Sequence, residues 1–209
     1  MELSRKQSRP AWLGLLVVLC LIALVTAYAP VERTLGERVR LVYFHGAWVW
    51  AGKVAFAAAA VVGLFGLVAP ASRRIWQRLS LALGWTGMVF WLTYLPLSLW
   101  VQQMNWGGIF WDEPRWRIPL ILGVVGLLLQ VGLFLMEDLR LVCGLNLVFG
   151  IALWVWLGSI ENVLHPDSPI FQSDAVRIQA FFVLILLLAL LFGGMLARQF
   201  YKFNTARWK

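Results

Sequence analysis

Apolar residues run along this chain in six long stretches, at approximately 11–30, 41–70, 79–100, 118–136, 139–158 and 176–199. Short connections carrying charge, proline or polar residues separate them. Each stretch is near or above the roughly 20 residues that an α-helix needs to cross a bilayer core. The pattern predicts an all-α protein, a polytopic membrane bundle of six transmembrane helices. No repeat, low-complexity segment or linker divides the chain, so residues 1–209 read as a single membrane domain. The first stretch follows Arg5, Lys6 and Arg9, as the core of a signal peptide would. It is nevertheless about 20 residues long and has no clear small-x-small cleavage site before a soluble domain, so it reads as a retained anchor. The second stretch is too long for one crossing. His45 to Pro70 would span about 37 Å at ~1.5 Å per residue, against a core of about 30 Å. Either strong tilt or protrusion of its first turns places His45 at the membrane interface.

Composition sharpens this reading. The chain is 61% hydrophobic and only 13% charged, about half the charged share of a soluble domain. The net charge of +8 does not point to nucleic acid, because the basic residues sit at the ends of apolar runs and form no stripe. Their distribution sets sidedness instead. Eleven Lys and Arg residues fall at the termini and in the second and fourth connections: Arg5, Lys6, Arg9, Arg73, Arg74, Arg78, Arg140, Arg198, Lys202, Arg207 and Lys209. Six fall on the other face (Arg33, Arg38, Arg40, Arg115, Arg117 and Arg177), and Lys53 lies within a span. The positive-inside rule then puts both termini in the cytoplasm and the connections 31–40, 101–117 and 159–175 outside.

Two cysteines, Cys20 and Cys143, lie far apart inside apolar runs. They form no CxxC, so thiol redox and zinc chemistry lack support, and both read as buried structural residues. Gly63 with Gly66, Gly123 with Gly126, Gly144 with Gly150, and Gly193 with Gly194 are read as points of close helix approach. Lys53 is expected to snorkel or to pair with an acid, with a role near a bound anion as the lesser alternative. Arg33, Arg38 and Arg40 alternate with Glu32 and Glu37 as a solvated face.

Candidate chemistry gathers on the predicted outer side. Both histidines of the chain fall there: His45 in VYFHGAWVWAG and His165 in GSIENVLHPDSPIF. Of 13 tryptophans, Trp48, Trp50, Trp100, Trp106, Trp111, Trp116, Trp154 and Trp156 cluster near the outer ends. Trp12, Trp76 and Trp208 lie near the inner ends, and Trp85 and Trp91 lie inside the third span. An aromatic belt populates both interfaces, so this bias exceeds belt behaviour. A flat macrocycle with anionic arms suits such a surface. Its faces pack on indoles, its carboxylates pair with arginine forks, and its metal takes a neutral imidazole from each side. Haem meets these conditions. Two histidines limit the chain to one bis-histidine haem.

The residues that carry this chemistry also resemble a known family. WGGIFWDEPR, residues 106–115, resembles the tryptophan-rich WWD signature of the haem-handling proteins of cytochrome c assembly, nearest to the haem exporter protein C (CcmC) type, with the CcsA type as a relative. YFHGAW, residues 43–48, resembles the family's first histidine segment. SIENVLH, residues 159–165, resembles its acid-containing segment ending in the second histidine. Trp106, Gly107 and Arg115 match the pattern W-G-x-x-W-x-W-D-x-R in type and spacing. Phe110 stands at the second tryptophan position, and Asp112 and Glu113 stand at the third tryptophan and the aspartate. Alternatively, Trp111 and Asp112 are the Trp–Asp pair displaced by one residue.

The resemblance implies that His45 and His165 ligate the iron. It further implies that Trp106, Gly107, Phe110, Trp111, Asp112, Arg115 and Trp116 form a platform for haem b held as transient cargo. It implies an inner-membrane location with the site facing the periplasm or cell exterior. The implied partners are a membrane-tethered haem chaperone and the ATP-driven transporter subunits of the same pathway. It implies binding and transfer rather than bond-making catalysis. Two other readings are open: a small permease or transporter subunit, and a haem-free structural subunit of a larger complex. Hydrolysis lacks a Ser–His–Asp spacing or a placeable carboxylate pair.

Overall fold

The computed structural model describes residues 11–69, 73–161, 170–171 and 174–207. Among them are six helices and no strand: α1 (Ala11–Ala27), α2 (Val39–Val68), α3 (Arg73–Trp106), α4 (Pro114–Met136), α5 (Leu139–Gly158) and α6 (Val176–Arg207). Five of these, α2 to α6, are long and apolar enough to cross a membrane, which makes the chain a multi-pass membrane protein. α1 has 17 residues, about 26 Å at ~1.5 Å per residue.

Surface chemistry runs opposite to that of a soluble bundle. From Ile121 to Met136 on α4 the exposed positions are Ile121, Val124, Val125, Leu128, Val131, Leu135 and Met136, whereas Gln130 is fully buried. An apolar outer stripe with a polar residue turned inward suits a hydrocarbon solvent, because lipid offers a polar group no partner.

Several buried polar groups tie helices together. Gln130 Nε2 on α4 donates to Asn146 Oδ1 on α5 at 2.6 Å. Asn146 Nδ2 donates to the Ser80 carbonyl and hydroxyl on α3, both at 3.1 Å. Ser80 Oγ donates to the Ala59 carbonyl on α2 at 2.8 Å. Four helices are thus bound through three side chains. Replacing Asn146 by leucine is expected to leave Gln130 Nε2 without this acceptor and to destabilise the fold by about 1–3 kcal/mol. A fall in the thermal midpoint of the purified protein checks this, and an unchanged midpoint contradicts it.

Glycines set how closely the helices approach. A Cβ at Gly63 would lie 2.8 Å from the Cys143 carbonyl oxygen, and one at Gly150 would lie 2.7 Å from Ala60 Cβ. Gly126 is closed in by Phe149 and Met88, and Gly193 by Phe90. Gly144 and Gly194 have open space instead, so only part of the expected set does this work. Cys143 is buried, as expected, but Cys20 is exposed on α1, because a lone outer helix has no neighbour to cover that side.

Helix ends depart most from the sequence expectation. The expected connection 101–117 narrows to 107–113, since α3 continues to Trp106 and α4 opens at Pro114. Nothing between 101 and 106 breaks a helix. Gln102 and Asn105 turn their amides to local use, Gln102 Oε1 accepting from Phe110 N–H at 2.9 Å and Asn105 Nδ2 donating to the Val101 carbonyl at 2.9 Å. Gly107, at φ 72°, then ends the helix in the left-handed region that glycine enters at little cost. Pro114 supplies the first helical residue of α4, where its missing N–H is no loss. α3 reaches 34 residues, about 51 Å, so it must extend beyond a hydrocarbon core or tilt strongly within it.

Candidate functional site

A cavity of about 540 Å³ opens between the N-terminal half of α2, the C-terminal half of α3, the start of α4 and the end of α5. α2 contributes Val42, His45, Gly46, Val49, Trp50 and Lys53, whose spacing of three and one traces one helical face. α3 contributes Trp91, Tyr94, Ser98, Val101, Gln102, Asn105 and Trp106. Glu113, Arg115 and Pro119 close it from the α4 side, while Leu157, Ile160, Ile170, Phe171 and Phe182 line the remainder. The volume lies within the roughly 300–1,000 Å³ typical of sites for small organic molecules, and the wall is mostly rings and aliphatic side chains.

His45 is half-buried. Its ring lies 5.2 Å from that of Tyr94, tilted by 47°. The helix here is held in place by three ties. Arg40 Nε donates to the Ala29 carbonyl at 2.9 Å, Tyr43 Oη to the Pro30 carbonyl at 3.3 Å, and Arg38 Nη1 to the Met104 carbonyl at 3.1 Å. Arg33, Glu37 and Arg38 are exposed, as a solvated face requires, and Arg40 pairs with Glu37 at 3.6 Å. Arg38 and Arg40 in addition stitch the ends of α1, α2 and α3 together. In the preceding turn the Glu32 carboxylate accepts from the N–H groups of Leu35 and Thr34, and these bonds hold it below the usual carboxylate range.

Trp48 faces away from the cavity. It is buried, its Nε1 donates to Thr93 Oγ1 at 2.8 Å, and its ring meets Phe90 at 4.6 Å. It is a core tie between α2 and α3.

Pro119 organises the α4 wall. Proline has no N–H, so the carbonyl four residues earlier, on Arg115, loses its helical donor. Tyr94 Oη occupies that acceptor at 3.2 Å, and Trp91 Nε1 donates to the Pro119 carbonyl at 2.9 Å. These two bonds fasten the start of α4, with Arg115, against the cavity side of α3.

Among the described residues Lys53 pairs with no acid. Its Nζ lies 4.3 Å from the ring centroid of Trp50 and 4.3 Å from that of Trp154. Each such contact stabilises a cation by roughly 0.5–2 kcal/mol depending on desolvation. Among the described residues, Lys53 and Arg115 give the cavity two cations against one carboxylate, that of Glu113.

The expected site residues divide into three groups. His45, Trp106 and Arg115 line the cavity. Gly107, Phe110, Trp111, Asp112 and Trp116 are not among its lining residues. Gly107 ends α3. The Phe110 backbone N–H anchors the loop to Gln102, its side chain being largely exposed. Trp111 packs edge-on against buried Trp116 at 5.1 Å, and Asp112 pairs with Arg117 at 3.7 Å in solvent. His165 lies outside the described residues.

Sequence reasoning missed Tyr94 and Gln102 as cavity residues, grouped Trp50 only with the outer-end tryptophans, and held a role near a bound anion as the lesser reading for Lys53. The i, i+3 spacing of Trp50 and Lys53 on one predicted helix was an available signal for that pair. Nothing local marked Tyr94, since its role comes from a proline 25 positions later in the chain. No protein-family model, curated protein or solved structure matches the chain.

Proposed function

We propose that this multi-pass protein holds haem b as cargo at the outer face of the inner membrane and hands it on during cytochrome c maturation. In this reading both termini are cytoplasmic, and the site faces the periplasm or cell exterior. The acceptor is a membrane-tethered haem chaperone, with ATP-driven transporter subunits of the same pathway nearby. The reading rests on one observation: a single cavity of fitting size collects an imidazole, indole rings and two cations.

The chain's own residues would do the following. His45 offers an imidazole nitrogen to the iron. Trp50 and Trp106 supply aromatic surface for the macrocycle, with buried Trp91 behind the wall. Arg115 offers a planar fork for a carboxylate. His165 is the proposed second ligand, and it is tethered five residues from both Ile160 and Ile170, which line the cavity. A half-open site at a helix end suits a cargo that must leave. Gly107, Phe110, Trp111 and Asp112 would form the outer loop that a receiving partner meets, and Trp116, buried on α4, would back Trp111.

A permease would need polar groups facing a path at mid-depth. Gln130 and Asn146 are instead bonded to each other in the core, and Thr93 accepts from Trp48. That favours a binding and transfer module.

The test is optical. Purified full-length protein loaded with haem is expected to show a Soret band, with about one haem per chain by reduced pyridine assay. Replacing both His45 and His165 is expected to remove or shift that band. An unchanged spectrum in the double variant would defeat axial ligation.

A further inference from the structure

Lys53 is the cavity group whose charge the fold leaves unanswered. Its ammonium is half-buried on α2 and sits between the faces of Trp50 and Trp154. No carboxylate among the described residues lies within ion-pair distance of it. A cation at this depth is ordinarily matched by an anion or displaced to water. Here two indoles hold it in place, and its open side is the cavity. Indole faces attract the ammonium without neutralising its charge, so the charge remains for whatever enters.

The position of Lys53 carries the argument further. Eight residues separate it from His45 along α2, about 12 Å of helix rise. That is comparable with the half-width of a tetrapyrrole plus one flexible carboxylate arm. Arg115 lies on the α4 side of the same cavity. We propose that Lys53 receives a carboxylate of the bound macrocycle, so that the acidic edge points along α2 towards Lys53 and the opposite edge faces the cavity mouth. The assignment rests on the haem reading above and deepens it. Lys53 is then an orienting residue: it selects the diacid and fixes which edge leaves first. Neither task requires it to touch the iron.

Iron protoporphyrin and its dimethyl ester separate this role from all others. They share the ring and the metal, and only the first carries carboxylates. Full-length protein is placed in nanodiscs of phosphatidylcholine, where no anionic lipid competes, and binding is followed by the Soret band. Metal-free protoporphyrin is followed in parallel by tryptophan quenching, which is independent of ligation.

The unaltered protein is expected to bind the diacid roughly tenfold or more tightly than the ester. Lys53→Met is expected to reduce that preference several-fold by weakening the diacid alone, leaving the share owed to Arg115, with the Soret maximum unmoved, and Lys53→Arg to retain it. Equal binding of diacid and ester by the unaltered protein would overturn the assignment even if the methionine variant fails to fold. Loss of both ligands equally in Lys53→Met would make the residue merely structural. An undiminished diacid preference in folded Lys53→Met would also overturn the assignment. Absence of any Soret band or quenching with either ligand would defeat the haem reading itself, an outcome distinct from these.

Discussion

Replacing Gly63 with valine is expected to prevent stable assembly of α2 against α5. The smallest addition, a Cβ, would lie 2.8 Å from the Cys143 carbonyl oxygen and 3.1 Å from Ser80 Oγ. The first of these is backbone of a packed helix, so it cannot swing aside as a side-chain tip can. Valine adds two methyl groups beyond that atom. Overpacking of a close-packed site costs typically about 1–3 kcal/mol and sometimes more. The upper end applies here, because separating the helices also strains the Ser80–Asn146–Gln130 bonds that converge nearby.

The matched control is Gly144→Ala on α5. A Cβ at Gly144 meets nothing within 4 Å, and alanine is the better helix former by about 1 kcal/mol, so this variant is expected to be neutral or slightly stabilising. Yield of monodisperse protein after extraction, and its thermal midpoint, measure both. A normal midpoint for Gly63→Val would mean that α2 and α5 do not meet at this point.

Replacing His45 with alanine is expected to weaken haem binding and shift the Soret band while leaving the fold intact. His45 is half-buried at the cavity wall, so its loss opens space without exposing the core. Loss of a residue that merely supports a metal ligand costs roughly 10–100-fold in affinity. Loss of the proposed ligand itself is expected to cost at least that. Added imidazole, entering the vacated space, is expected to restore the band. A lowered thermal midpoint with unchanged haem affinity would assign His45 to packing beside Tyr94 rather than to ligation.

Several features were legible in the linear order of residues. The cores of five spans follow from apolar length alone, and the α4–α5 boundary was read at the right place. There Glu137 at φ 56° ends one helix, and the Asp138 carboxylate accepts from the N–H groups of Arg140 and Leu141 to start the next. The end of α3 was not legible. Gln102, Gln103 and Asn105 are polar and looked like loop, yet a helix extending past a bilayer core can carry polar residues freely. The tryptophan-rich stretch was recognisable as a group. Which of its rings enter the cavity was not, because Trp106 is the last residue of one helix while Trp111 and Trp116 lie beyond the glycine that ends it.

Hydropathy and glycine or proline placement are local quantities, since a helix closes its own hydrogen bonds within four residues. They determined, from the chain alone, that this is an all-helical membrane protein, and roughly where its helices lie. Which faces meet is not local. Arg38 bonds to Met104 and Asn146 to Ser80, each across 66 positions, and Lys53 finds Trp154 about a hundred positions away. Only tertiary packing, governed by where glycines let backbones touch and where a proline frees a carbonyl, could bring His45, Lys53, Tyr94 and Arg115 around one cavity.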